Sequence, residues 1–365
     1  MRDKSSTWAA ILPALLSFLG ILALILDART AVAAAGEGIR LCLETVVPAL
    51  FPFLVLSRLF TGSAAVQGCT KILGPIMKPL FGLPAQGAAA VAMGTLGGYP
   101  VGAQTAADLY RDGRLDRESA ERLLGFCSNA GPAFIFGMLG GIFGSPKVAA
   151  ALYCIHITSA LLTGVLLRTK DSRPTSQRLS DGRGPRISLP DAVAAAVRTM
   201  ALICGYVILF RVISVFLAKA LGTWLSPAMN VAVSGLLELA GGCCLLPQLD
   251  APGLRYCMAS GFLAFGGICV WMQTKSVIRP AGLSGKYYLF GKILQGTLAV
   301  LITWFAMVAF PGILPREVSV SEVVIPNHAG LLRATGTVTG LFLVGVGIWC
   351  LNLRKRAGKQ KTAEV

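Results

Sequence analysis

Long apolar runs separated by short polar stretches dominate the chain. Runs of spanning length lie at about Thr7–Leu26, Ile39–Leu56, Leu123–Phe143, Val148–Leu167, Val197–Leu217, Cys257–Ser276, Tyr288–Phe310 and Leu331–Leu351, each near the ~20 apolar residues that a helix needs to cross a bilayer. Two further apolar stretches, about Leu83–Leu109 and Pro227–Leu246, are rich in glycine and interrupted. The first is broken by Gly97-Gly98-Tyr99-Pro100-Val101-Gly102, where proline removes a backbone donor and glycine admits non-helical angles. The second carries Glu238 in its middle and Gly241-Gly242 after it. An uninterrupted lipid-facing helix there would bury a carboxylate at a cost of about 3 kcal/mol. Both stretches are therefore expected to turn back as re-entrant hairpins, leaving an all-α polytopic membrane protein of about eight transmembrane helices.

Composition agrees with the pattern: of 365 residues 55% are hydrophobic and only 14% charged, against roughly 25% charged in soluble domains. The 33 Lys and Arg outnumber the 17 Asp and Glu, for a formal charge of +16. In a soluble chain this would suggest nucleic acid, whereas in a polytopic one it reflects cytoplasmic loops that collect basic residues. With both hairpins turning back, 25 of the 33 fall on one side, including Lys275, Arg279, Lys286 and Lys292, and both termini lie on that cytoplasmic side. Making only one hairpin a full crossing breaks this alternation downstream. No nucleic-acid partner is expected. The basic start, the apolar run of about 19 residues and Ala33-Ala34-Ala35 share features with a signal peptide, but the run exceeds the usual length and reads as an anchor.

The hairpins leave from opposite sides. In the first half, the Gly97–Gly102 break is followed about 30 residues later by Cys127-Ser128-Asn129-Ala130-Gly131-Pro132 inside a span; in the second, Glu238 is followed at a like distance by Gly266-Gly267-Ile268-Cys269-Val270-Trp271-Met272-Gln273. Each half reads as span, hairpin, interrupted span, span. The expected organisation is 1–169 with hairpin 83–109, a mobile cytoplasmic linker at 170–188, an inverted half at 189–353 with hairpin 227–250, and a basic cytoplasmic tail at 354–365. Inverted repeats with discontinuous helices are the architecture of secondary transporters, because unwound backbone must face protein, water or a ligand. Half-helices beginning near Pro100 and Pro132 would present unpaired N–H groups to an anion. The alternative is that glycine and proline merely kink packed helices.

The blocks Gly97–Ala103, Cys127–Phe134, Gly235–Glu238 and Gly266–Gln273 resemble the YlbJ family of sporulation integral membrane proteins. These contain the nucleoside-recognition or Gate domain shared with concentrative nucleoside transporters. The resemblance runs from about Glu44 to Gly296. It implies a bacterial cell membrane or outer forespore membrane protein that moves dipicolinic acid during sporulation, a flat pyridine carrying two carboxylates. This chain has Gly97 and Gln104 where Ser and Lys are expected in close relatives, so a Gate-domain transporter of a nucleoside or other small solute, or a non-transporting sporulation scaffold, stays open.

The substrate-binding candidates are Gly98, Tyr99, Pro100, Gly102, Gln104, Ser128, Asn129, Gly131, Glu238, Gly267 and Gln273. Glu44, Glu238 and Arg211 are candidates for coupling or gating, since intramembrane charges default to function, with Arg211 able to pair with either carboxylate or with substrate. His156 reads as a satisfied core group. The ten cysteines lie mostly in apolar segments without a CxxC pair and suggest neither disulfides nor a metal site. No nucleophile, phosphate-loop or zinc-protease pattern is present. The expectation is no enzyme and no cofactor or metal, with the lipid bilayer and a small anionic substrate as partners. A homo-oligomer is left open.

Overall fold

A computed structural model describes residues 4–61, 63, 65–169, 187–222, 224–310 and 314, and among these every regular element is a helix. Helix α1 (Lys4–Leu26) ends at Asp27. The Asp27 carboxylate accepts from the Thr30 N–H at 3.2 Å, capping α2 (Ala28–Leu41), and pairs with Lys219 at 2.5 Å. The path bends by 103° at this cap. α2 passes through a π turn (Cys42–Val46) into α3 (Val47–Thr61), which contains Pro52. Then come α4 (Ala65–Ile76) with a π turn at Met77–Phe81, α5 (Ala88–Gly97), α6 (Val101–Arg111) and α7 (Arg117–Cys127). After a four-residue break the last continues as α8 (Pro132–Phe134), a π turn (Ile135–Leu139) and α9 (Gly140–Ile142). α10 (Pro146–Leu166), α11 (Leu189–Leu221), α12 (Pro227–Leu237), α13 (Leu239–Leu245), α14 (Pro252–Phe265), α15 (Gly267–Ile278) and α16 (Lys286–Ala309) complete the set. Ser145 and Ser226 cap α10 and α12 with proline at the first helical position, a start signal written in the sequence.

Among the described residues five stretches are long and apolar enough to cross a membrane, Arg117–Ile142, Pro146–Leu166, Leu189–Leu221, Pro252–Ala281 and Lys286–Ala309, or up to seven if two bent pairs each count as one. The single span expected at Ile39–Leu56 is instead divided between those bent pairs. The π turn and Pro52 interrupt regular i→i−4 bonding there. The expected span at Leu331–Leu351, the linker core and the basic tail lie outside the described residues.

Both interrupted stretches fold back on themselves. Gly94 and Gly102 stand equally far either side of Gly98, and a Cβ built on either would lie 2.8 Å from the other's Cα. α5 and α6 are therefore antiparallel, with Gly98–Pro100 at the tip. Likewise a Cβ on Gly242 would collide with the Cα of Gly235, so α12 and α13 fold about Leu237–Glu238. Only glycine at these crossings permits such close backbone approach.

α16 packs against α7, α10 and α14, while α11 packs against α2, α3 and α15. Phe290, Ile293, Leu301, Trp304 and Phe305 of α16 point outward, whereas Tyr288, Lys292, Gln295, Ala299 and Thr303 are buried. An apolar exterior around a polar interior is the arrangement a hydrocarbon solvent favours. This corrects one assignment in the charge count. Lys292 is not a loop cation, because it lies inside α16 and is fully buried. Arg122 is buried too, donating to the carbonyls of Phe81 (2.9 Å), Gly82 and Leu167 (both 3.4 Å), where it satisfies helix C-terminal acceptors and faces the negative end of their dipoles.

Candidate functional site

Each hairpin tip meets the break in the following span. A Cβ on Gly98, whose φ is +81°, would lie 3.0 Å from the Gly131 amide nitrogen, and one on Gly131 would lie 3.1 Å from the Gly98 Cα. A side chain at Gly98 is excluded twice, by its left-handed backbone and by this contact. On the other side, a Cβ on Gly267 (φ +80°) would lie 3.1 Å from the Leu237 carbonyl. The first tip also reaches the second break: the Tyr99 hydroxyl donates to the carbonyls of Leu263 (3.0 Å) and Ala264 (3.1 Å), just before the chain turns at Gly266. The Tyr99–Pro100 peptide is cis, and α6 starts at Val101 with the Val101 N–H bonded to the Gly98 carbonyl at 2.8 Å.

Lys292 sits where these pieces converge. Its ammonium donates to the Ser128 carbonyl, to Gln295 Oε1 at 2.6 Å and to Asn129 Oδ1 at 3.5 Å. It lies 5.1 Å from the centre of the Tyr99 ring and 5.8 Å from that of Tyr288. The Gln295 amide donates to Asn129 Oδ1 at 3.0 Å and to the His156 carbonyl at 3.4 Å, and Asn129 Nδ2 donates to the Phe126 carbonyl at 2.9 Å. His156 is more than a satisfied core group. Its Nε2 accepts the Ala130 N–H at 3.0 Å, so the neutral ring carries its proton on Nδ1, which has no partner among the described residues. The Ser128 hydroxyl oxygen is likewise buried and unpartnered.

The electrostatics of this shell are lopsided. Among the described residues every oxygen bonded to Lys292 is neutral, and no carboxylate takes part. A buried ammonium without a counter-charge costs several kcal/mol, which the two aromatic faces offset only in part. An anion drawn into the shell would remove that penalty, and Ser128 Oγ and His156 Nδ1 are the unused polar atoms on its border.

Of the expected site residues, Gly98, Tyr99, Ser128, Asn129 and Gly131 come together around Lys292, while Pro100 and Gly102 belong to the same tip. Gln104 and Gln273 do not join the hydrogen-bonded shell. Gln104 donates to Asp108 at 3.0 Å, inside an ion cluster with Arg58 (3.0 Å) and Arg111, and Gln273 donates to Cys269 Sγ at 3.2 Å. Gly267 supports the second tip. Arg211 pairs with Glu37 at 2.6 Å, because α2 packs along α11 and brings Glu37 to it; its Nη1 and the Glu238 Oε2 both border Gly241, where a Cβ would lie 3.2 Å from the one and 3.0 Å from the other, so Glu238 stands within its electrostatic reach without forming an ion pair. Glu44 is exposed on its π turn. Lys292, Gln295 and His156 are the residues that motif reading misses. A stripe of Tyr288, Lys292, Gln295 and Thr303 at helical spacing along an otherwise apolar run is the signal that could have found them.

Glu238 caps a half-helix. Its carboxylate accepts from the Ala240 N–H at 2.8 Å and the Gly241 N–H at 2.5 Å, while the residue itself is 4% exposed. Glu238→Ala should therefore lower stability by about 1–2 kcal/mol, the worth of a lost N-cap with its buried donors. Glu238→Gln, which keeps one acceptor, should lose less. Melting of the purified protein in detergent checks this, and equal melting of both variants and wild type would show that the cap is idle.

Among the described residues no group of three or more His, Cys, Asp or Glu is placed to hold a metal ion. The family model for Gate, nucleoside recognition, matches residues 43–224. The sporulation integral membrane protein YlbJ of Bacillus subtilis (strain 168) is 28% identical over 313 residues, covering 74% of this chain and 77% of that protein. No solved structure matches. The matched region holds the first hairpin, the first break and His156, and the relative's coverage takes in most of the chain: this is an integral membrane protein that carries a Gate, nucleoside recognition, domain and is homologous to YlbJ.

Proposed function

We propose that this protein is a carrier for a small solute and not an enzyme, and that the solute is an anion bound at the Lys292 shell. The observation that carries the reading is a fully buried ammonium whose acceptors among the described residues are all neutral, placed where a hairpin tip meets a helix break. In transporters, broken helices of this kind bind substrate near the bilayer midplane. The shell is closed in this structure: Asn129, His156, Lys292 and Gln295 are each at most 1% exposed. Solute entry therefore requires the tip to part from the break on one side, and exit requires the same on the other.

Two hairpins of matched position support the finer picture of two inverted halves, 1–169 and 189–353, joined by a cytoplasmic linker, with eight spans and both termini cytoplasmic. Dipicolinate, with two carboxylates on a flat ring, is the first solute to try, as the relative's name places it in sporulation. The shell offers it an ammonium, the unused Ser128 and His156 atoms, and the Tyr99 face. A second reading, a nucleoside, is favoured by the family description and by the two amides, Asn129 and Gln295, that suit base edges.

Uptake into vesicles containing only this protein decides between them. Labelled dipicolinate should enter saturably, and excess uridine should not compete. Entry of uridine with exclusion of dipicolinate would move the assignment to nucleosides. Entry of neither would favour a scaffold.

A further inference from the structure

Away from the Lys292 shell, a cleft of about 750 Å³ opens between α4 with its π turn and the end of α10. We propose that it holds the headgroup of an anionic phospholipid. Three cations line it, Lys71, Lys78 and Arg168, together with Thr70, and among the described residues no Asp or Glu does. Lys71 and Lys78 stand seven residues apart, two turns along one face of the same helical run. Arg168 is held in place by a bond from Nη1 to the Pro79 carbonyl at 2.8 Å. The Thr70 hydroxyl oxygen, next to Lys71 on the same helix, is buried and has no partner among the described residues.

The neighbouring side chains argue for a lipid over a free anion. Ile72 on α4 and Leu162, Val165 and Leu166 on α10 are exposed, at 62%, 42%, 39% and 61%. α10 thus passes from an outward apolar face directly to Arg168 at its end. A phosphate seated in the cleft would place acyl chains along that face, as basic pockets between membrane helices bind anionic headgroups. A soluble phosphate would use the cations and leave the apolar shelf empty.

The test is native mass spectrometry of the full-length protein in detergent, titrated with phosphatidylglycerol or with phosphatidylcholine of identical acyl chains. Phosphatidylglycerol should form a retained one-to-one adduct that phosphatidylcholine does not. The pair Lys71→Gln with Lys78→Gln should weaken it roughly thirtyfold, from two surface cations lost. Both lysines are exposed, so the pair leaves the packing intact, and the comparison of the two lipids uses unaltered protein. Millimolar glycerol 3-phosphate should not displace the adduct. Equal binding of both lipids, undiminished phosphatidylglycerol binding by the double variant, or displacement by glycerol 3-phosphate would each overturn the proposal, the last by revealing a free-anion site.

Discussion

Lys292→Met is expected to cut solute movement sharply while leaving the protein folded, or even more stable. Among the described residues the ammonium makes its bonds to a carbonyl and two side-chain amides, and none to an acid. Replacing a buried charge by an apolar group of similar length commonly costs nothing and sometimes stabilises. Loss of the Lys292 donor does leave Gln295 Oε1 without its 2.6 Å partner, a penalty of about 1–3 kcal/mol set against the larger desolvation cost that disappears. Binding is a different matter. A charge-assisted bond to an anion is worth about 1.5–3 kcal/mol, so affinity should fall roughly 10- to 150-fold, and transport with it. Vesicle uptake and melting in detergent, measured on the same preparation, read the two effects separately. A variant that transports normally would remove Lys292 from the site; one that neither melts cooperatively nor transports would make it a structural group.

Gly94→Ala should do the reverse and damage the frame that positions the site. A Cβ at Gly94 or at Gly102 collides with the Cys127 carbonyl at the end of α7. The obstacle is backbone, so no rotamer change relieves it, and the first hairpin must lift from α7. Overpacking of this kind costs about 1–3 kcal/mol. It also pulls Gly98 from Gly131 and the Tyr99 ring from Lys292. Melting temperature and uptake should both fall. Gly205→Ala on α11, where nothing lies within 4 Å of the added methyl, is the control and should match wild type or gain up to about 1 kcal/mol. Equal behaviour of the two alanine variants would show that the tight crossing is not what holds the tip.

Both hairpins are legible in the sequence because their cause is local. Gly98, Pro100 and the flanking glycines cannot continue a helix, and the chain breaks there between α5 and α6. Glu238 marks the second fold for a physical reason that the structure makes specific: its carboxylate starts α13. The positions facing across each fold, Gly94 with Gly102 and Gly235 with Gly242, are also visible once the tips are known. Long-range partners are not legible in this way. Arg211 finds Glu37 only because α2 lies along α11, which no periodicity reports. Lys292 is misread because it follows Lys286 and Tyr287 near the start of a run, where a cation resembles an ordinary loop charge. Its burial depends on α7, α10 and α14 closing around α16.

The most direct test of the account is a high-resolution structure of the protein bound to the solute it moves in vesicles, dipicolinate being tried first. Density for the solute is expected between the first hairpin tip and the Ser128–Gly131 break, within hydrogen-bond distance of Lys292 Nζ and with Ser128 Oγ or His156 Nδ1 newly partnered. Solute density elsewhere in the protein, with Lys292 still bonded to Ser128, Asn129 and Gln295 as in this structure, would contradict an anion site at Lys292.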